Sequence, residues 1–262
     1  MLNIIIYAIL LLAAIGAIIG WNGQKKGQKW GQSLTLACAL IAIFLGFFQV
    51  YLTSVGGLNS HAASVKRQQA YHRSQGIVLG RYLNAHFAGK NAVIIKDPTR
   101  QQESDALIAL RKEIYNNIKV TAIITPTATV SKDVGMPDGL VNYEPVERWY
   151  TKKVLEQLLE GKHFDILITD LGLPSDLTVV GKEFTIHSLK GKQVAMLSGN
   201  IYDYMRGFMY RRIAAAVVHN PKAEYDAKPA PKDPQNAFNR RYLLVTPDNY
   251  RDMVIQYDVF KR

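Results

Sequence analysis

The first 96 residues contain no aspartate or glutamate, yet they carry nine of the chain's 32 lysines and arginines: Lys25, Lys26, Lys29, Lys66, Arg67, Arg73, Arg81, Lys90 and Lys96. The rest of the chain holds 23 basic against 21 acidic side chains, only +2 of the whole-chain +11. The pI near 9.6 is therefore a property of the N-terminal region and not of a basic domain built to neutralise phosphates, so no nucleic-acid partner is expected. Basic residues beside apolar segments instead set topology or meet anionic lipid headgroups.

Cysteine is nearly absent. The one thiol, Cys38, lies inside an apolar run, which excludes an intrachain disulfide and a cysteine-based metal cluster. The six histidines, His61, His72, His86, His163, His187 and His219, show no recurring ligand spacing, so neither a metal nor another cofactor is expected. Also missing are a GxGxxG after the first strand, a GxxxxGK[ST] loop, an HExxH and a GxSxG elbow, which removes the usual signatures of nucleotide binding, zinc proteolysis and serine hydrolysis. There is no internal repeat and no low-complexity tract.

What is present begins with two long hydrophobic runs. Residues 2–20 are apolar except for Asn3, and residues 34–52 are apolar except for Thr35 and Gln49. Each matches the ~20 residues that a helix needs to cross a bilayer. The first run lacks the basic n-region of a signal peptide. Both are expected to span, forming a hairpin over residues 1–55, with Gly16 and Gly20 at a spacing that permits close helix packing. The connecting loop, residues 21–33, holds Lys25, Lys26 and Lys29 between Trp21 and Trp30. By the positive-inside bias that loop is cytoplasmic, which places both termini and the remaining chain on the extracytoplasmic, periplasmic side. Lys66, Arg67 and Arg73 oppose this assignment from a greater distance.

Residues 56–89 read as a stalk and docking helix, with Leu79, Tyr82, Leu83 and Phe87 at helical spacing before Gly89. Residues 90–262 read as one α/β domain. Almost uninterrupted apolar runs at 92–96, 120–125, 165–169, 193–198, 214–218 and 242–246 are the pattern of strands buried on both faces. Between them, Leu107, Leu110, Ile114 and Ile118 form one helical stripe, and Val146, Tyr150, Val154 and Leu158 form another, closed by Gly161. Further helices are expected over 201–209 and from Thr246, where Pro247 follows a capping residue. The stretches 127–147 and 221–234 are expected to be loops over the sheet. The fold class is therefore α/β: two transmembrane helices, then a Rossmann-like, mostly parallel sheet with helices on both faces.

In such sheets ligands bind beyond the carboxyl ends of the strands. The candidates there are Asp97, Thr125, Asp170, Ser198, Asn200 and Asn220. Ser198, Gly199 and Asn200, ahead of an expected helix, also offer backbone N–H groups to an anion.

Asp170, Leu171, Gly172, Leu173 and Pro174, with Ser198 at the end of a later strand, resemble the receiver domain of two-component response regulators. That family has a phosphoaccepting Asp at the end of its third strand, a Pro four residues on and a Ser or Thr after its fourth. The resemblance covers residues 164–221. A paired acidic metal site and a Lys-Pro after the fifth strand, which the family also carries, are replaced here by Lys96 with the single Asp97 and by Asn220-Pro221. The charge stabilisation that phosphoryl transfer requires is correspondingly missing.

The functional expectation is a membrane-anchored binding or scaffold subunit of a cell-envelope complex, non-catalytic, with the lipid bilayer and an envelope protein as partners. The alternatives are an enzyme using Asp97, Asp170 and Ser198 at the strand ends, or a degenerate receiver-like module facing the cytoplasm.

Overall fold

The computed structural model describes residues 2–127, 145–226 and 228–260, and at 2–5 and 52–61 their backbone only. Their contacts divide the chain into two compact units, 1–66 and 67–262.

The first unit is a helical hairpin. Helix α1 (Leu2–Lys25) is followed by the turn 26–28 and by α2 (Lys29–Phe87), whose early turns complete the unit. Both helices run further than the expected 2–20 and 34–52, and α2 takes in the residues expected to form a separate stalk. No proline interrupts them. The chain reverses at Gly27, whose φ of +71° suits glycine. The spacing of Gly16 and Gly20 is used: a Cβ on Gly20 would lie 2.5 Å from Thr35 Oγ1, and one on Gly16 would lie 2.7 Å from Cys38 Sγ.

Two segments, Ile6–Lys25 with mean hydropathy 1.9 and Lys29–Tyr51 with 2.2, are long and apolar enough to cross a membrane. Their side chains do not form a protein core, since Leu11, Phe44 and Phe47 are among many large apolar groups facing outward, Phe47 with 74% of its surface exposed. In water such a surface costs about 25 cal/mol per Å2, and lipid removes that cost.

The second unit is the α/β domain. After the end of α2 come β1 (Asn91–Ile95), α3 (Asp105–Ile114), β2 (Lys119–Ile124), α4 (Val146–Trp149), α5 (Lys152–Leu159) and β3 (Ile166–Thr169). A short hairpin, β4 (Val179–Val180) and β5 (Glu183–Phe184), leads to β6 (Gln193–Met196), α6 (Met205–Met209), β7 (Ile213–His219), α7 (Pro234–Arg241), β8 (Tyr242–Val245) and α8 (Tyr250–Tyr257). The main sheet has the order β2-β1-β3-β6-β7-β8, parallel except for β8, which runs antiparallel to β7. Leu79 and Leu83 of α2, Leu107 and Leu110 of α3 and Phe238 of α7 pack on one face. Leu155 and Leu159 of α5, Phe208 of α6 and Val259 pack on the other.

All six apolar runs are strands, and β3 is buried throughout, as a central parallel strand must be. The helices depart more from expectation. The stripe over 146–158 is two helices, because Tyr150 leaves helical geometry at ψ 80° and Thr151 caps α5 by accepting from Val154 N. The segment 201–209 is a 3-10 turn at Tyr202–Tyr204 followed by the five-residue α6. Residues 246–249 form a turn, with Asn249 Oδ1 accepting from Thr246 N at 2.7 Å, so the last helix starts at Tyr250 and not at Pro247. The expected loop over 127–147 lies mostly outside the described residues, while Val146 and Glu147 at its end are helical. In the proline-rich stretch, Asp233 caps α7 and Pro234 is its first residue.

Candidate functional site

With the small hairpin set aside, the five parallel strands run in the order second, first, third, fourth, fifth. Their switch point lies between β1 and β3, whose chains leave toward opposite sides. Asp170 directly follows β3 at that point, and its N–H donates to Ile95 O of β1 at 2.9 Å.

The carboxyl group of Asp170 is buried, with 4% of the residue exposed. Ser104 Oγ donates to its Oδ2 at 2.9 Å. The same Ser104 oxygen caps α3 by accepting from Leu107 N at 3.1 Å. From the other side Ser198 Oγ, beyond β6, lies 3.3 Å from Asp170 Oδ1 and donates to the Asp170 carbonyl. Burial pushes the Asp170 carboxyl above its usual range, while the bond from Ser104, the charge of Arg100 and the contact with Ser198 oppose that shift.

The loops after β3 and β6 touch at backbone level. A Cβ on Gly199 would sit 2.4 Å from Gly172 Cα, and both glycines have positive φ, +105° and +93°. Only glycine fits such an approach. Thr169 Oγ1 holds the first loop closed by accepting from Leu171 N and Gly172 N at 3.1 and 3.0 Å.

Asp97, beyond β1, is engaged locally. It accepts from Thr99 N and Thr99 Oγ1 at 2.9 and 2.7 Å and pairs with Arg100 at 3.1 Å. Next to it Glu103 receives both Arg111 at 2.8 Å and Lys96 at 3.4 Å. Asn200 accepts from Tyr202 N at 3.0 Å and donates to Asp203 at 3.1 Å. Asn220 accepts from Lys222 N at 2.9 Å. Thr125 stands exposed at the end of β2, two strands from Asp170 and thus about 10 Å away.

Of the six sequence candidates, the fold brings Asp170 and Ser198 into contact and lets Asp97 act on Asp170 through its charge. Asn200, Asn220 and Thr125 lie elsewhere along the same edge. The anion-binding helix start expected at 198–200 is not formed, because α6 begins only at Met205 and has a single turn. Sequence reasoning missed Ser104. Its signal was a serine followed by Asp105, a capping residue with an acid in the first turn, just ahead of the apolar stripe of α3.

As chemistry, this is a closed arrangement. Asp170 is shielded from water and held by two hydroxyls, Ser198 donates to Asp170, and Asp97 and Glu103 are in ion pairs. Among the described residues no group of three or more His, Cys, Asp or Glu side chains is placed to hold a metal ion.

A broad depression lies elsewhere. It measures about 1100 Å3 and runs along the outer edge of β2, which among the described residues pairs only with β1, and along the flank of α3, bordered by Ile108, Tyr115, Thr121 and Ile123. Tyr115 is 81% exposed. No protein family, curated protein or solved structure matches the chain.

Proposed function

We propose that this chain is a membrane-anchored, non-catalytic binding subunit of an envelope complex. In this reading the apolar hairpin sits in the bilayer and the α/β domain engages a partner protein along the free edge of β2. The extracytoplasmic side is favoured by Lys25, Lys26 and Lys29, which end α1, occupy the turn and start α2.

The observation that carries the reading is the β2 edge. As the outermost strand it leaves one row of backbone groups unpaired by the sheet, and exposed Ile108, Tyr115 and Ile123 flank the depression beside it. Free edges attract additional strands, and exposed aromatic and aliphatic groups anchor interfaces. The closed state of Asp170, Asp97 and Glu103 supports the non-catalytic part.

The test is crosslinking in intact membranes followed by purification in detergent. A stoichiometric partner is expected with the natural chain and is lost in Ile123→Lys, which puts a charge into the depression beside the edge. Purification of this chain alone, or the same partner yield with Ile123→Lys, would sink the proposal.

The strand order favours a second reading, since receiver domains share it and carry their acceptor Asp where Asp170 stands. That reading requires a cytoplasmic domain, so a topology measurement separates the two.

A further inference from the structure

Arg241, the last residue of α7, is 3% exposed and has no carboxylate within salt-bridge distance among the described residues. Its guanidinium stacks 3.6 Å from the Tyr71 ring centroid and 5.0 Å from that of Tyr225. Nη1 donates to Gln68 Oε1 at 2.7 Å, while the buried Nε has no acceptor among the described residues. Two aromatic faces and one amide oxygen satisfy part of a guanidinium, but they supply no negative charge. A buried cation normally acquires a counter-charge.

A cleft of about 110 Å3 opens at the carboxyl ends of β6 and β7; Arg241 does not line it, but its charge acts on Tyr242, which does. Gln75, Ser198, Gly199, Tyr202, His219 and Tyr242 supply its polar lining, with Gln75 hydrogen-bonded to Tyr242, and no carboxylate among the described residues lines it. Arg241 is linked to it along two routes. Tyr225, beneath the guanidinium, places its hydroxyl 3.3 Å from His219 Nδ1, and Tyr242 is the next residue in the chain. His72, one helical turn before Gln75 and Gln68's neighbour on α2, reports the local field. Its pKa is lowered first by burial and then by Arg100, with His219 and Arg241 adding to the effect and only Asp105 opposing it. Asp105 is itself paired with Arg73 at 3.2 Å.

We propose that this cleft binds a small oxyanion of phosphate size, held by Gln75, His219 and Tyr242 and balanced by the buried charge of Arg241. The volume corresponds to three or four waters at roughly 30 Å3 each, enough for one such anion and too small for a drug-sized ligand. The site shares Ser198 with the surroundings of Asp170 but lies away from the β2 edge, so it stands or falls independently of the partner reading.

The experiment is thermal unfolding of the full chain in detergent, titrated with inorganic phosphate against sodium chloride of matched ionic strength. Phosphate is expected to raise the midpoint in a saturable way beyond chloride, since a ligand of the native state stabilises it. His219→Asp puts an acid in the cleft from an exposed position and should weaken the phosphate response at least about tenfold. His163→Asp makes the same charge change at the amino ends of the strands and should leave the response intact. No advantage of phosphate over chloride in the natural chain overturns the proposal. So does an equal response in His219→Asp, or an equal loss in both variants, which would mark a general charge effect.

Discussion

Asp170 gives up most of its hydration and receives two hydroxyls in return, from Ser104 and from Ser198. The balance favours its protonated form, because burial is the largest influence on its pKa and acts upward. An acid with a raised native pKa contributes stability below its unfolded value of 3.8, and that contribution is lost as the pH rises through the native pKa. Asp170→Asn keeps the shape of the protonated acid and removes the charge. We therefore expect the variant to melt above the natural chain at pH 7, with the difference shrinking as the pH falls toward 3.8. Thermal unfolding across pH 3 to 8 checks this. A variant that is less stable at pH 7 would show instead that the ionised carboxylate is the form the hydroxyls hold. The pairing itself was only half legible in the sequence. Asp170 and Ser198 end apolar runs and so advertise their place at the sheet edge. Ser104 reaches them through the angle at which α3 crosses the sheet, which no local pattern encodes.

That angle is set between elements. A Cβ on Gly76 of α2 would lie 1.9 Å from Ala106 O and 2.7 Å from Leu110 N of α3, so the two helix backbones are in direct contact there. Gly80, four residues on, faces the Glu113 side chain, whose Cβ would lie 2.7 Å from an added methyl. Gly76→Ala gains up to about 1 kcal/mol of helix propensity. Against that, the methyl meets backbone that a rotamer change cannot move, and overpacking of this kind costs about 1–3 kcal/mol. We expect a net loss of stability measured by denaturant unfolding, together with a displaced Ser104 and a weaker downward pull on the Asp170 pKa against the upward push of burial. A Gly76→Ala variant as stable as the natural chain would mean that α3 is free to move away. The element scale also shows where sequence patterns stop being informative. Strands such as β3 and β7 were legible because burial on both faces leaves an uninterrupted apolar run. The stripe of Val146, Tyr150, Val154 and Leu158 satisfied helical spacing yet breaks at Thr151, because a capping threonine there makes a second start as favourable as a continuation. The start of α7 at Asp233-Pro234 was hidden by the prolines around it, although a capping Asp before a Pro is itself a helix start.

At the scale of the whole chain, charge and apolarity are segregated in a way that suits a boundary between water and lipid. The candidate spans carry exposed phenylalanines and leucines, whereas three lysines, Lys25, Lys26 and Lys29, collect at the turn that joins them, with Lys25 Nζ 5.7 Å from the Trp21 ring. Lysines and tryptophans at one end of an apolar hairpin fit a membrane interface. Lys66, Arg67 and Arg73 add three charges on the other side of the second span, but at a distance where the positive-inside bias fades. The turn is therefore expected to face the cytoplasm and the α/β domain to face away from it. A Cys38→Ser background removes the one natural thiol, and Lys228→Cys then places a single reporter in the exposed proline-rich segment before α7. A membrane-impermeant maleimide applied to intact cells should label that cysteine before lysis. Labelling only after lysis would put the domain in the cytoplasm, where an Asp at the end of the third parallel strand acquires the receiver-like meaning that its strand order already permits, and where the envelope partner proposed for the β2 edge would have no access.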